Sequence, residues 1–201
     1  MSPRLPPAAA SKPARAPGQV RLIGGRWRGS KLPVPDLPGL RPSGDRLRET
    51  LFNWLQGEVA GARVLDLFAG TGALGLEAAS RGAARVDFVE QAPAAVAALR
   101  AAVARLGAAE GPPMAVHAAD ALAWLSDSAQ GPFDLVFVDP PFAAGLWAPA
   151  LAALAPRLAG RAWAYVESPA GSPAAVPAGW RLHRELRTRE AHGGLYRVGG
   201  T

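Results

Sequence analysis

The tetrapeptide Asp139-Pro140-Pro141-Phe142 groups three features that together can hold an aromatic amine. An Asp carboxylate accepts hydrogen bonds from an amino group, and a carbonyl beside a proline is a stiff second acceptor. A phenyl ring offers its face to a flat base. Held this way, the exocyclic amine of a nucleobase points its nitrogen at an electrophile. The run before it, Phe133-Asp134-Leu135-Val136-Phe137-Val138, is too short for a helix and rich in aliphatic and aromatic residues, so it reads as a buried strand. Pro140 cannot donate to a sheet ladder and biases Asp139 away from helix, so the strand stops there. In open α/β sheets that carboxyl edge is where ligands bind. A strand-ending turn with a buried Phe is the plainer reading of the same four residues, and the rest of the chain decides between them.

A second group of residues bears on that choice. Val64-Leu65-Asp66-Leu67-Phe68-Ala69-Gly70-Thr71-Gly72-Ala73-Leu74-Gly75 reads as a strand, a glycine turn and a helix start. Gly70, Gly72 and Gly75 satisfy the G-x-G-x-x-G spacing of dinucleotide sites, and Glu90 lies twenty residues past Gly70. Taken alone, that pattern suggests NAD. Asp66 counts against it, because a carboxylate at the strand end repels a pyrophosphate packed on the turn. It suits a ligand with a cationic amino-acid moiety and no phosphate, and S-adenosylmethionine is such a ligand. Glu90, ending the second strand, can accept both ribose hydroxyls. Asp120, just past the third, can accept from the adenine amino group. Each acid also has a structural reading: Asp66 and Asp120 as helix caps, Glu90 as a solvent-facing residue. Three acids at three consecutive strand ends are harder to assign to coincidence.

The elements that must position these residues follow from the alternation of patterns after Ala62. Strands are expected at Arg63–Asp66, Arg85–Val89, Met114–Ala118, Phe133–Val138 and Ala162–Glu167, with a closing pair near Trp180–Arg187 and Leu195–Val198. Helices are expected at Ala73–Ser80, Pro93–Leu106, Asp120–Ser128 and Leu146–Leu158. Such alternation implies an α/β fold, a mostly parallel sheet covered on both faces by helices, and the closing pair implies an antiparallel edge. Upstream, Val20–Ile23, then Gly24-Gly25, then Arg26–Val34 read as two short β-prone segments around glycines, a β-hairpin, which must pack on something to be stable. Trp27, set among arginines, either stacks on bases or anchors the hairpin. Pro-rich residues 33–42 read as a linker, Ser43 as a helix cap, and Leu47, Leu51, Trp54 and Leu55 as the apolar stripe of a helix. Arg46 and Arg48 lie off that stripe, facing solvent or a ligand. The chain thus divides into a disordered basic tail (1–18), a hairpin-and-helix extension (19–60) and an α/β domain (61–201).

Charge is placed unevenly. Residues 1–50 hold ten basic and three acidic side chains, whereas 51–201 hold twelve basic and thirteen acidic, within a net charge of +6. The surplus suggests a polyanion approached through the N-terminal quarter, with Arg21, Arg26, Arg28, Lys31, Arg41 and Arg46 as candidate contacts. A solubilising tail in an Arg-rich chain is the alternative. The chain has no Cys, so thiolate metal sites, disulfides and Cys nucleophiles are excluded, and three scattered histidines argue against a metal site. No stretch resembles a membrane span or a signal peptide, so the cytosol is the expected compartment.

These motifs resemble a known family. Asp66-x-Phe68-Ala69-Gly70-Thr71-Gly72 and Asp139-Pro140-Pro141-Phe142 are similar to the cofactor and amino-methyltransferase motifs of class I S-adenosylmethionine-dependent enzymes. More narrowly, the stretch Val20 to Val34, the stretch Leu40 to Leu55, Phe137 to Phe142, Tyr165-Val166-Glu167-Ser168 and Leu195-Tyr196-Arg197 resemble the RsmD family over residues 20–198. The resemblance implies a Rossmann-like class I methyltransferase fold with a seven-stranded sheet and an N-terminal hairpin and helix. It implies methylation of N2 of one guanine in 16S ribosomal RNA, guanine 966, within the assembling or assembled small subunit. Asp66, Phe68, Ala69, Gly70, Gly72, Glu90, Asp120 and Ala121 would hold S-adenosylmethionine, Asp139 and the Pro140 carbonyl would hold the amine, and Phe142 would stack on the base. No metal is required. Rival readings are an amino-methyltransferase with another target such as adenine N6, a glutamine-directed enzyme (which usually has Asn at position 139), an NAD dehydrogenase, and a non-catalytic ribosome-assembly protein that binds RNA.

Overall fold

The computed structural model of the protein describes residues 18–35, 44–107, 111–127 and 129–199. The expected basic tail, the body of the Pro-rich linker, Ser43 and Arg41 lie outside the described residues, apart from Gly18 at the tail's end. The chain runs β1 (Gln19–Arg21), β2 (Lys31–Pro33), α1 (Asp45–Trp54), β3 (Arg63–Asp66), α2 (Ala73–Ser80), β4 (Arg85–Glu90), α3 (Pro93–Gly107), β5 (Met114–Ala118), α4 (Ala121–Asp127), β6 (Phe133–Val138), α5 (Trp147–Leu154), β7 (Leu158–Pro169), β8 (Arg181–Arg187) and β9 (Ala191–Gly199). Among the described residues, β3 to β9 form a seven-stranded sheet in the order β5-β4-β3-β6-β7-β9-β8. The strands β5, β4, β3, β6 and β7 pair in parallel. The expected antiparallel edge is a hairpin whose second strand inserts inward: β9 pairs antiparallel with both β7 and β8, leaving β8 outermost and parallel to β7.

Alternation along the strands builds two cores. Leu135 and Phe137 of β6, with Trp163 and Tyr165 of β7, join one cluster, while Val136, Val138, Ala164 and Val166 join the other. A period of two sends successive side chains to opposite faces, so both faces of these central strands are buried. The first core is closed by α1, α2, α3 and the hairpin, the second by α4 and α5.

The hairpin gains its stability by docking. Val20, Leu22, Leu32 and Val34 are buried in the same cluster as β3 and β4. Its loop is bonded to α2: Ile23 N and Gly24 N donate to the Glu77 carboxylate at 2.7 and 2.8 Å, and Trp27 N donates to Ser80 Oγ at 2.9 Å. Gly25 has φ +73°, and a Cβ there would collide with the Ser80 carbonyl. Trp27 packs on the core, the anchoring role. Every residue of α2 is buried, which accounts for its small side chains: sheet, hairpin and α1 close on it from all sides.

One expectation fails in α1. Arg48 faces neither solvent nor a ligand; it is fully buried, with Nη2 2.6 Å from Asp45, 2.9 Å from the Arg21 carbonyl oxygen, and Nη1 3.9 Å from Glu77. The buried stripe is Arg48, Leu51, Phe52 and Leu55, the i, i+3, i+4, i+7 spacing of a helix face. Starting that stripe at Leu47 misplaced it by one residue.

Candidate active site

The sheet order reverses between β3 and β6. From β3 the chain moves outward to β4 and β5, then crosses back to β6 on the other flank. Loops leaving β3 and β6 therefore part, and a crevice opens beyond their carboxyl ends. It holds a cleft of about 1070 Å³ walled by residues from all five parallel strands' ends, the start of α1 and the β8–β9 turn. That exceeds the roughly 300–1,000 Å³ of single small-ligand sites, leaving room for two ligands side by side.

Strand register sets the acids around this cleft. Asp66 pairs with Phe137, and Phe137 pairs with Tyr165. Val64, Phe137 and Tyr165 all belong to the core on the α1 side. Two residues further along each strand, Asp66, Asp139 and Glu167 recur on that same face at the cleft floor. Glu90 and Asp120 complete the rim.

The glycine turn is tied by these carboxylates. Asp66 Oδ2 accepts from Gly75 N at 2.9 Å, in the first turn of α2. Glu90 accepts from Gly70 N at 2.8 Å and from Ala92 N at 2.7 Å. Gly72 has φ +74°, left-handed backbone, and its N–H donates to the Ala69 carbonyl oxygen at 2.7 Å. The N–H groups of Gly70 and Gly72 thus have internal acceptors, and the first acceptor is an anion. A phosphate nest needs free N–H groups converging on it. The geometry therefore disfavours the dinucleotide reading of G-x-G-x-x-G. Asp120 caps α4, accepting from Leu122 N and Ala123 N at 2.9 and 3.0 Å. Capping leaves a carboxylate with further acceptor sites, so the two readings of these acids are compatible.

Among the described residues, no Lys, Arg or His forms an ion pair with Asp66, Glu90, Asp139 or Glu167. The consequence is electrostatic. Burial, opposed by the Gly75 hydrogen bond and reinforced by Glu90, pushes Asp66 up to about 7. Burial, then the charges of Glu167 and Asp66, push Asp139 well above the ordinary carboxylate range. Burial also raises Glu167, against a hydrogen bond from Tyr165 Oη at 3.0 Å. Acids that resist ionisation for want of a cation beside them suit a cationic ligand, which would favour their ionised forms.

At the floor Asp139 is half-buried and Pro140 beside it buried, while Phe142 is 39% exposed, open to a flat ligand. The Phe142 ring lies 6.0 Å from that of Trp147, tilted by 47°. Trp147 is pinned by its Nε1–H donating to the Glu167 carbonyl oxygen at 2.7 Å. Of the sequence-derived candidates, Asp66, Phe68, Ala69, Gly70, Glu90, Asp120, Ala121, Asp139, Pro140 and Phe142 line the cleft, while Gly72 shapes the turn behind it. Arg46 lines it too. Arg21, Arg26, Arg28 and Lys31 are exposed on the hairpin, away from the cleft wall, and Arg41 lies outside the described residues. Glu167, Trp147 and the β8–β9 turn had no assigned role. Glu167 could have been found by the rule that singled out the others: an acid just inside the carboxyl end of a parallel strand.

The family model for conserved hypothetical protein 95 matches residues 20–197. The chain is 47% identical over 189 residues to ribosomal RNA small subunit methyltransferase D of Escherichia coli strain K12, covering 88% of this chain and 93% of that protein. It is 40% identical over 176 residues to the protein of the same name from Haemophilus influenzae, covering 86% and 91%. The solved structure of a putative methyltransferase, yhhF, from Escherichia coli superposes with a TM-score of 0.81 at 43% identity, covering 92% of this chain and 100% of that one. The sheet order and this superposition make the fold that of a class I methyltransferase.

Proposed function

The chain belongs to the family of conserved hypothetical protein 95, and on that premise we propose that it is an S-adenosylmethionine-dependent methyltransferase of ribosomal RNA that modifies N2 of a guanine in the small-subunit RNA, with guanine 966 as the nucleotide. The observation that carries the reading is the convergence of Asp66, Glu90 and Asp139, none of them ion-paired to a cation among the described residues, on a cleft that Pro140 and Phe142 also line.

The residues fit the cofactor. Asp66 and Glu90 offer anionic acceptors to an ammonium and a ribose diol, Asp120 accepts from an adenine amine, and Phe68, Ala69 and Ala121 supply apolar wall. When bound, S-adenosylmethionine supplies an electrophilic methyl group on a sulfonium. The protein's part is positioning and electrostatics. The lone pair of guanine N2 is delocalised into the ring. Asp139 and the Pro140 carbonyl, each accepting one amine hydrogen, localise that pair and fix its direction. Phe142, backed by Trp147, stacks on the base. A target guanine reaches such a pocket only when unstacked or flipped out. Arg46 at the cleft rim and the exposed cations of the hairpin contact phosphates.

The test is methylation of small-subunit RNA, free and within assembling particles, by the purified protein with labelled S-adenosylmethionine, followed by nucleoside mass spectrometry. N2-methylguanosine is the expected product. N6-methyladenosine would reassign the target base. Tight RNA binding without product would favour an assembly protein.

A further inference from the structure

Glu167 is a buried acid at the cleft floor to which the methyltransferase reading gives no task. It sits near the end of β7 and accepts from the Tyr165 hydroxyl at 3.0 Å. Val138 pairs with Val166, so one residue further Asp139 and Glu167 lie level on neighbouring strands, on the same face. Parallel strands run about 4.8 Å apart. Two carboxylates so placed, with no base paired to either among the described residues, behave as one titrating unit.

We propose that Asp139 and Glu167 form a carboxyl pair that releases a proton when the cationic cofactor binds and takes one back from the methylated amine, with Glu167 a positioning residue acting through Asp139. This rests on the reading of the protein as an S-adenosylmethionine-dependent methyltransferase.

The balance closes without another reactant. In the free protein the pair, Glu167 buried and Asp139 half-buried, resists double ionisation and holds a proton. A cation in the cleft favours the doubly ionised form, and that proton leaves to solvent. In the transfer, the lone pair of N2 forms the new N–C bond and the electron pair of the C–S bond stays on sulfur. Positive charge has moved from sulfur to nitrogen. The nitrogen then yields a proton to Asp139 and keeps the electrons of that N–H bond. With sulfur neutral, the pair faces no cation, and its affinity for the proton rises at the step where a proton must be accepted. Glu167 makes Asp139 a stronger base than a lone, exposed Asp.

The groups facing the pair do not undo this. Asp66 from β3, Glu90 from β4 and Glu190 from the β8–β9 turn are acids lining the same cleft. Arg46 from α1 and Arg187 from β8 are exposed, and Arg187 lies 3.3 Å from Glu185. His192 on β9, opposite Ser168, sits 2.9 Å from Glu185, and from α5 only the uncharged Trp147 indole approaches.

The test is calorimetric titration with S-adenosylmethionine and S-adenosylhomocysteine in two buffers of different ionisation heat, paired with the acid limb of kcat/KM for RNA methylation. Wild type should release protons on binding S-adenosylmethionine and fewer on binding the uncharged thioether. Glu167→Gln should lose about half of that release and move the acid limb down by about one pH unit, since the like charge is gone. Tyr165→Phe keeps both carboxylates but removes the hydroxyl that favours the ionised one, so the limb should move up. If Glu167→Gln does not fold, Tyr165→Phe decides. Unchanged proton release and an unchanged limb in a folded variant overturn the pair. A wild type that binds no cofactor and methylates no RNA overturns instead the functional reading beneath it.

Discussion

Asp139→Ala removes an acceptor for the amine while Asp66, Glu90 and the glycine turn keep their bonds. By analogy with deleting one transition-state hydrogen bond, turnover should fall roughly a hundredfold or more, with affinity for the cofactor's thioether product, which lacks the sulfonium charge, nearly unchanged. Single-turnover methylation and a titration of the same preparation with that thioether check both halves, and near-wild-type turnover would remove Asp139 from the chemistry. Asp66 makes a different prediction. Its folded value, about 7, lies above the ordinary 3.8. Between those values the folded chain binds more protons than the unfolded one, so stability falls as pH rises. The cofactor-free protein should therefore lose denaturant resistance from about pH 5 to about pH 7.5, and Asp66→Asn should flatten that slope. Asp139 and Glu167, also raised, act in the same direction. A cofactor-free protein whose stability rises across this window would contradict the burial of these acids.

At the scale of elements, the bond between hairpin and α2 runs through one carboxylate. Glu77 is fully buried, accepts from Ile23 N and Gly24 N, and meets Arg81 Nε at 2.7 Å. Glu77→Ala leaves two backbone amides without that acceptor and removes a countercharge from buried Arg48. The expected cost is about 3–5 kcal/mol, a large share of an ordinary domain's stability. Urea denaturation should show the lowered midpoint, and hydrogen exchange should show faster exchange at Leu22 to Trp27 than elsewhere. Uniform loosening would mean that the hairpin is held chiefly by its apolar side chains. This junction also marks where the sequence stopped being legible. Strands β3, β5 and β6 and helix α2 could be read to the residue because glycine, proline and period-two runs are local signals. So could acids at strand ends, since the sheet itself aligns them. Arg48 and Glu77 could not, because their burial depends on meeting each other across the fold. A lone charge in the otherwise uncharged Ala73–Ser80 is a hint of such a partner but does not name it. The inward insertion of β9 was hidden for the same reason: pairing order between strands is a long-range property.

For the whole molecule, the question is how one RNA meets both the cleft and the basic N-terminal quarter. The hairpin loop docks on the last turn of α2, at the amino edge of the sheet, whereas Arg46 lines the cleft at the carboxyl edge. The length of α2 separates them, about 12 Å for eight residues. On the proposed function, the hairpin loop and the cleft rim would divide the labour. Arg21, Arg26, Arg28 and Lys31, exposed on the hairpin, are then expected to hold the RNA without touching the reacting base, and Arg46, which lines the cleft, to fix the strand that enters it. A quadruple Arg/Lys→Gln variant of the hairpin should bind RNA more weakly, with the slope of log K against log salt shallower by roughly 0.7–0.9 for each phosphate no longer neutralised. At saturating RNA its turnover should approach wild type. Arg46→Gln should lower turnover even at saturation, with at most a small change in slope. Cofactor titration serves as the folding control for the hairpin variant, whose side chains lie outside the cleft that Asp66 and Glu90 line; Arg46 lines that cleft, so the urea midpoint is its folding control. A quadruple variant that binds cofactor normally and keeps the wild-type salt slope would take the hairpin out of the RNA interface, leaving the cleft rim and the β8–β9 turn to carry the substrate.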